Sequence, residues 1–165
     1  MKLKVVVDNN IIVFLTKSYI KNIDLTSKRV LESYLNKLIN KIKNKYDLDI
    51  TGFYNVKIYI DENYGIIIDI IKETLDYPEY FTDLDMNIEV IEDDFIYMFD
   101  DIPILNENIL MKFDKYKYKD KIYLIQIQNT NEIELGIVVE NAKIIYGKKA
   151  KKIIKKAEMV LWKNQ

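Results

Sequence analysis

Between Val30 and Tyr46 the apolar residues Val30, Leu31, Tyr34, Leu35, Leu38, Ile39, Ile42 and Tyr46 recur at spacings of three and four. That period is the one face of an α-helix, and nothing else repeats it. Asp24, Thr26 and Ser27 offer capping oxygens just upstream, so the helix is expected over about 27–46. Its other face carries Lys28, Arg29, Lys37, Lys41, Lys43 and Lys45, the last three near the end of the dipole that favours cations. Upstream, Leu3 to Val7 and Ile11 to Leu15 alternate about Asp8-Asn9-Asn10, a turn composition, and read as a β-hairpin. Downstream of Thr51-Gly52, Val56 to Ile60 and Ile66 to Ile71 flank Asp61-Glu62-Asn63-Tyr64-Gly65 and read as a second. The first 72 residues are thus expected to form ββαββ, with one amphipathic helix to cover one sheet face.

From Glu73 to Asp101 the charge changes sign: acidic residues accumulate, and after Lys72 no Lys or Arg occurs before Lys112. A connector is expected over 76–85, around Asp76-Tyr77-Pro78. Met86 to Ile91 and Phe95 to Phe99 then read as a third hairpin around Glu92-Asp93-Asp94, and Ile109 to Lys119 with Ile122 to Gln128 as a fourth around Lys119-Asp120. Glu134 to Tyr146 fits either a hairpin turning at Glu140-Asn141 or the start of a long helix. Ala150, Ile153, Ile154, Ala157, Val160 and Leu161 share a stripe that predicts a last helix over 148–162, with Lys148, Lys149, Lys151, Lys152, Lys155 and Lys156 at the other positions. The expected class is α+β, built of antiparallel hairpins and two amphipathic helices. A ββαββ unit at 1–75 precedes the acidic connector at 76–85 and a β-rich unit at 86–165, or the two run together as one domain.

The 165 residues include no Cys and no His. Disulfides, thiol nucleophiles and imidazole bases are therefore excluded, together with the Ser/His and Cys/His hydrolases and zinc sites of the usual kind. An enzyme would have to run on carboxylates, Lys or Tyr. Asp83-Leu84-Asp85-Met86-Asn87, with Glu89 and Asp94, counts superficially like a calcium loop, but Ile88 stands where such a loop turns on Gly. Asp93/Asp94 and Asp100/Asp101 are adjacent pairs, which a strand points to opposite faces. No glycine-rich phosphate loop exists among the four Gly. No enzyme, catalytic residue, metal or cofactor is expected. Lys2 and Lys4 precede only Val5-Val6-Val7 before Asp8, too short for a signal peptide, and no run approaches the ~18 apolar residues of a membrane span; a cytoplasmic protein with no membrane contact is expected.

Recognition through the surface remains. From Lys112 to Lys121 basic and aromatic residues interleave, but strand parity puts Tyr116 and Tyr118 on one side and Lys115, Lys117 and Lys119 on the other, the pattern of a half-buried strand. The contact candidates are the acidic edge Asp93, Asp94, Asp100 and Asp101 and the lysine face Lys148, Lys152 and Lys155. They suit a protein-binding adaptor or regulator. The alternative is an accessory nucleic-acid-binding protein using the lysine faces of both helices. A net charge of −1 and a single arginine, Arg29, weigh against that use.

The stretch Lys2 to Thr16, KLKVVVDNNIIVFLT, followed by Ile20 and Asp24-Leu25, resembles the opening of the MecA adaptor family of Firmicutes. There a short hairpin with an Asp-Asn turn precedes a polar loop and an amphipathic helix. The likeness extends through the hairpin ending near Ile71 and, faintly, to Phe95–Asp101 and Tyr116–Leu124. The resemblance implies a non-enzymatic adaptor that presents substrates to a Clp-type AAA+ unfoldase, and it assigns no individual contact residue.

Overall fold

The computed structural model describes residues 2–6, 10–46, 52–73 and 84–162, and the fold is α+β. The backbone divides into two units, one of residues 1–60 and 65–91, the other of residues 61–64 and 92–165. The connector expected over 76–85 lies outside the described residues through position 83, as do Val7 at the end of the first expected strand, Asp8 and Asn9 of the first expected turn, and Thr51.

In the first unit, β1 (Lys2–Val6), β2 (Asn10–Thr16), α1 (Lys17–Ile20), α2 (Lys28–Tyr46), β3 (Gly52–Asp61), β4 (Gly65–Lys72) and β5 (Leu84–Glu92) follow in chain order, and the strands form one sheet in the order β1-β2-β4-β3-β5. The β2 and β4 register sets Ile11 opposite Ile70, Val13 opposite Ile68 and Leu15 opposite Ile66. Two-residue alternation therefore delivers one apolar face, and α2 closes it with Leu31, Leu35, Leu38, Ile39 and Ile42. The helix starts where its caps stand: Asp24 accepts the Thr26 amide at 2.9 Å, and Ser27 Oγ accepts the Val30 amide at 3.5 Å. Gly65 pairs with Thr16 at φ +129°, where a Cβ would come within 2.4 Å of the Leu15 carbonyl oxygen. Only glycine fits there.

The second unit runs β6 (Ile96–Phe99), α3 (Glu107–Leu110), β7 (Phe113–Tyr118), β8 (Lys121–Gln126), α4 (Glu132–Asn141), β9 (Lys143–Ile145), α5 (Gly147–Ile154) and β10 (Glu158–Met159). Its antiparallel sheet has the order β10-β7-β8-β6-β9. The β7–β8 turn places Lys119 and Asp120 at φ 49° and 57°, the left-handed pair that matches strand twist. One face packs Ile96, Tyr123 and Ile145 with Ala150 and Ile153 of α5. Residues of the other parity, Tyr97, Phe99 and Leu124, are buried too, and α4 packs against β6 with Leu135 and Val138 inside.

Three sequence expectations are corrected. Met86–Ile91 and Phe95–Phe99 do not form a hairpin: β5 joins the first sheet, β6 the second, and the first unit accordingly runs through Ile91. Met86 and Ile88 pack on the α2 core, Lys57 of β3 meets Glu89 at 3.7 Å, and the Phe95 amide is taken by Asp61. The strand expected from Ile109 starts at Phe113, because Asn106 accepts the Asn108 amide and caps the helical turn α3. The helix expected over 148–162 ends at Ile154. Beyond it Glu158 and Met159 pair with β7, and Leu161, expected on the buried stripe, is 82% exposed. Backbone bonds to a sheet edge outweigh the little that Val160 and Leu161 would bury in another helical turn. Of the two readings of Glu134–Tyr146, α4 takes the helix and β9 the strand that follows.

Candidate protein-interaction surface

The acidic candidates all lie in the second unit, and half of them are engaged within it. Asp93 has 5% of its side chain exposed and meets Lys151 Nζ of α5 at 3.3 Å. Asp100, at the end of β6, accepts Lys121 Nζ at 2.8 Å and Lys143 Nζ at 3.3 Å from the starts of β8 and β9. Those two ammonium groups hold its carboxyl below the usual carboxylate range. Asp94 and Asp101 are exposed. Two of the four acidic candidates are thus spent on local pairing and two remain exposed.

The lysine candidates behave differently. Gly147, Ala150 and Ile153 turn α5 inward, which leaves Lys148, Lys152 and Lys155 exposed together with Lys149 and Lys156. None of these five has an acidic partner among the described residues; Lys151 alone is neutralised, by Asp93. Lys148 and Lys149 stand in the first turn, where no acid is present and the helix dipole opposes cations. Unpaired lysines at that end concentrate positive potential, and an arriving anion would relieve it.

Other groups with chemical potential are tied to structure. Asp61, the buried charged residue of the described chain, gives its oxygens to the amides of Asn63, Tyr64 and Phe95. Burial lifts the Tyr64 hydroxyl to about 12 and the Tyr97 hydroxyl well above its ordinary value, the latter helped by Asp61. Among the described residues, no three acidic side chains gather as metal ligands, and no helix is long and apolar enough to cross a membrane. In the segment 112–121, Tyr116 and Tyr118 pack beneath α5 while Lys117 and Lys119 are exposed.

Two features escaped the sequence reading. An open groove in the first unit is lined by Ile23, Val30 and Tyr34 with Arg29 and Lys37, and a helical wheel alone does not show that the 21–26 loop completes it. The other is Trp162, whose indole Nε1 donates to the Phe113 carbonyl at 3.1 Å and whose ring lies 4.5 Å from Lys115 Nζ. A lone tryptophan was the only sequence signal for it. Compared with protein families, curated proteins and solved structures, the chain matches none.

Proposed function

We propose that this chain is a non-enzymatic, protein-binding adaptor or regulator of the cytoplasm that engages an acidic protein partner through the lysine face of α5. The observation that carries the reading is the set of exposed lysines, Lys148, Lys149, Lys152, Lys155 and Lys156, which share one short helix and the turn that ends it and have no acidic partner among the described residues. Complementary charge of this kind raises the rate of encounter and selects the partner more than it adds affinity. The resemblance of Lys2–Thr16 to the opening of MecA adaptors supports the specific form in which the partner is a Clp-type unfoldase or a client presented to it.

Affinity capture from host extract with the natural chain and with Lys148→Glu/Lys152→Glu/Lys155→Glu tests this. The expected outcome is an acidic protein, an AAA+ unfoldase or its client, retained by the first and lost by the second, with retention falling as salt rises. Equal capture by both chains would refute the lysine face. Tight binding of single-stranded oligonucleotides, steeply salt-dependent and abolished in the triple variant, would move the assignment to nucleic acid.

A further inference from the structure

We infer that the outer side of β7 is a docking edge for an extended peptide of a partner protein, and that residues 158–162 are an internal strand mimic which that peptide displaces. On its other side β7 is fully paired to β8. Here only Glu158 and Met159 stand in strand register, opposite Lys117 and Tyr116. The Val160 amide then donates to the Lys115 carbonyl at 2.8 Å, and the next acceptor, the Phe113 carbonyl, is met by the Trp162 indole rather than by backbone. Residues 113, 115 and 117 are those whose polar backbone faces one side of the strand. A side chain thus completes a ladder that a longer strand would complete with amides.

The segment holds this edge with little burial. Met159 is 58% exposed and Leu161 82%, so a few backbone bonds, the Trp162–Phe113 bond and the Trp162–Lys115 contact fix it. Segments with so little buried surface open locally without global unfolding, and an opened edge is a template for an added strand. The occupant in place also shows what the edge selects. Glu158 lies opposite exposed Lys117, and an aromatic ring four positions on lies over Lys115. A partner segment running antiparallel to β7, with an acidic residue followed four positions later by a large aromatic, matches both. This surface is independent of the α5 lysines, whose charge reversal leaves β7 intact.

Trp162 is the only tryptophan, so its emission reports the segment directly. A synthetic peptide spanning residues 157–162 with Trp162→Phe, itself silent at the tryptophan excitation wavelength, is titrated into the full chain. Saturable red-shifted emission is expected, with about fivefold weaker binding for the peptide carrying Glu158→Lys. A chain lacking residues 158–165, or full-length Trp162→Gly should the shorter chain not fold, contains no tryptophan, so its titration is followed by calorimetry; it is expected to bind the peptide at least tenfold more tightly because the competitor is removed. Absence of saturable binding to any of these chains would overturn the inference. So would a Val160 amide that exchanges only by global unfolding, or a shortened chain that dimerises through β7 instead of taking the peptide.

Discussion

The Asp61 carboxylate accepts the amide of Phe95, a residue 34 positions further along the chain, at 2.7 Å. Its other oxygen accepts the amides of Asn63 and Tyr64 at 2.8 and 2.7 Å, so one buried side chain fixes both a tight turn and the entry to β6. Hydrogen bonds to a charged acceptor are each worth about 1.5–3 kcal/mol net, and buried amides left without an acceptor carry a further cost. Asp61→Ala is expected to destabilise the second unit by about 3 kcal/mol or more. Asp61→Asn keeps one acceptor but sets an amide donor against the Phe95 N–H, and is expected to cost about 2 kcal/mol. Urea denaturation measures both, and hydrogen exchange at Phe95 should accelerate in either variant.

Two glycines provide a paired test of backbone geometry. A Cβ at Gly65 would sit 2.4 Å from the Leu15 carbonyl oxygen and 2.8 Å from the Lys17 nitrogen, at a φ of +129°. Both atoms are backbone and cannot yield, so Gly65→Ala is expected to cost about 3 kcal/mol or more in the first unit. At Gly136, in the middle of α4, a Cβ would meet nothing within 4 Å. Gly136→Ala is expected to add about 0.5–1 kcal/mol to the second unit. Thermal melts of the two variants should shift in opposite directions.

In the first unit β4 and α2 were legible because local turn chemistry and side-chain period agree there. Ile66, Ile68 and Ile70 alternate beside Asp61–Gly65, and Leu31 to Ile42 recur beside Ser27. The third hairpin was misread for a physical reason: Glu92-Asp93-Asp94 signals a change of direction but not which sheet receives the following strand. That is decided by Met86 and Ile88 against the α2 core, by Phe95, Ile96 and Tyr97 in the second core, and by Asp61 at a distance no local pattern reaches. The end of α5 was hidden similarly. Val160 and Leu161 continue the helical period, but the unpaired edge of β7 competes for their backbone. Among the candidate contacts, the exposure of Lys148, Lys152 and Lys155 follows from the Ala150–Ile153 stripe and was readable. The pairing of Asp93 with Lys151, and of Asp100 with Lys121 and Lys143, is tertiary and was not.

Glu134 ties the first turn of α4 to the turn that precedes β7 through one carboxylate. It accepts Lys112 Nζ at 2.7 Å on each oxygen and the Asn131 amide at 2.9 Å, while the Asn131 Oδ1 accepts the Glu134 amide at 2.9 Å. The Lys112 bond first, and the Asn131 amide second, hold its carboxyl below the usual range. A depressed native value means that the native state binds the proton less readily than the unfolded chain does. The stabilisation is therefore complete above the ordinary glutamate range and is lost as pH falls through the native value. NMR titration should place Glu134 below the other glutamates. Lys112→Met should bring it part of the way back, leaving the capping-box share.

Asp69 presents the opposite sign in the first unit. It lies on β4 opposite Ile12, half-buried, and its Oδ1 has no hydrogen-bond partner among the described residues. Burial raises its carboxyl; the Asn10 side chain and the Lys57 ammonium, which itself meets Glu89, pull the other way without cancelling it. The native state therefore holds this proton more tightly than the unfolded chain, and the penalty for the charged form is felt at neutral pH. It shrinks as pH falls through the native value and is gone below the ordinary aspartate range, near 4. Asp69→Asn removes the charge without changing shape. With the side chain still partly exposed to water, the gain is expected to be small, about 1–2 °C in the melting temperature at pH 7. Melts of both chains from pH 7 to pH 3.5 should converge; a variant less stable at neutral pH would mean that Lys57, not burial, governs this carboxylate.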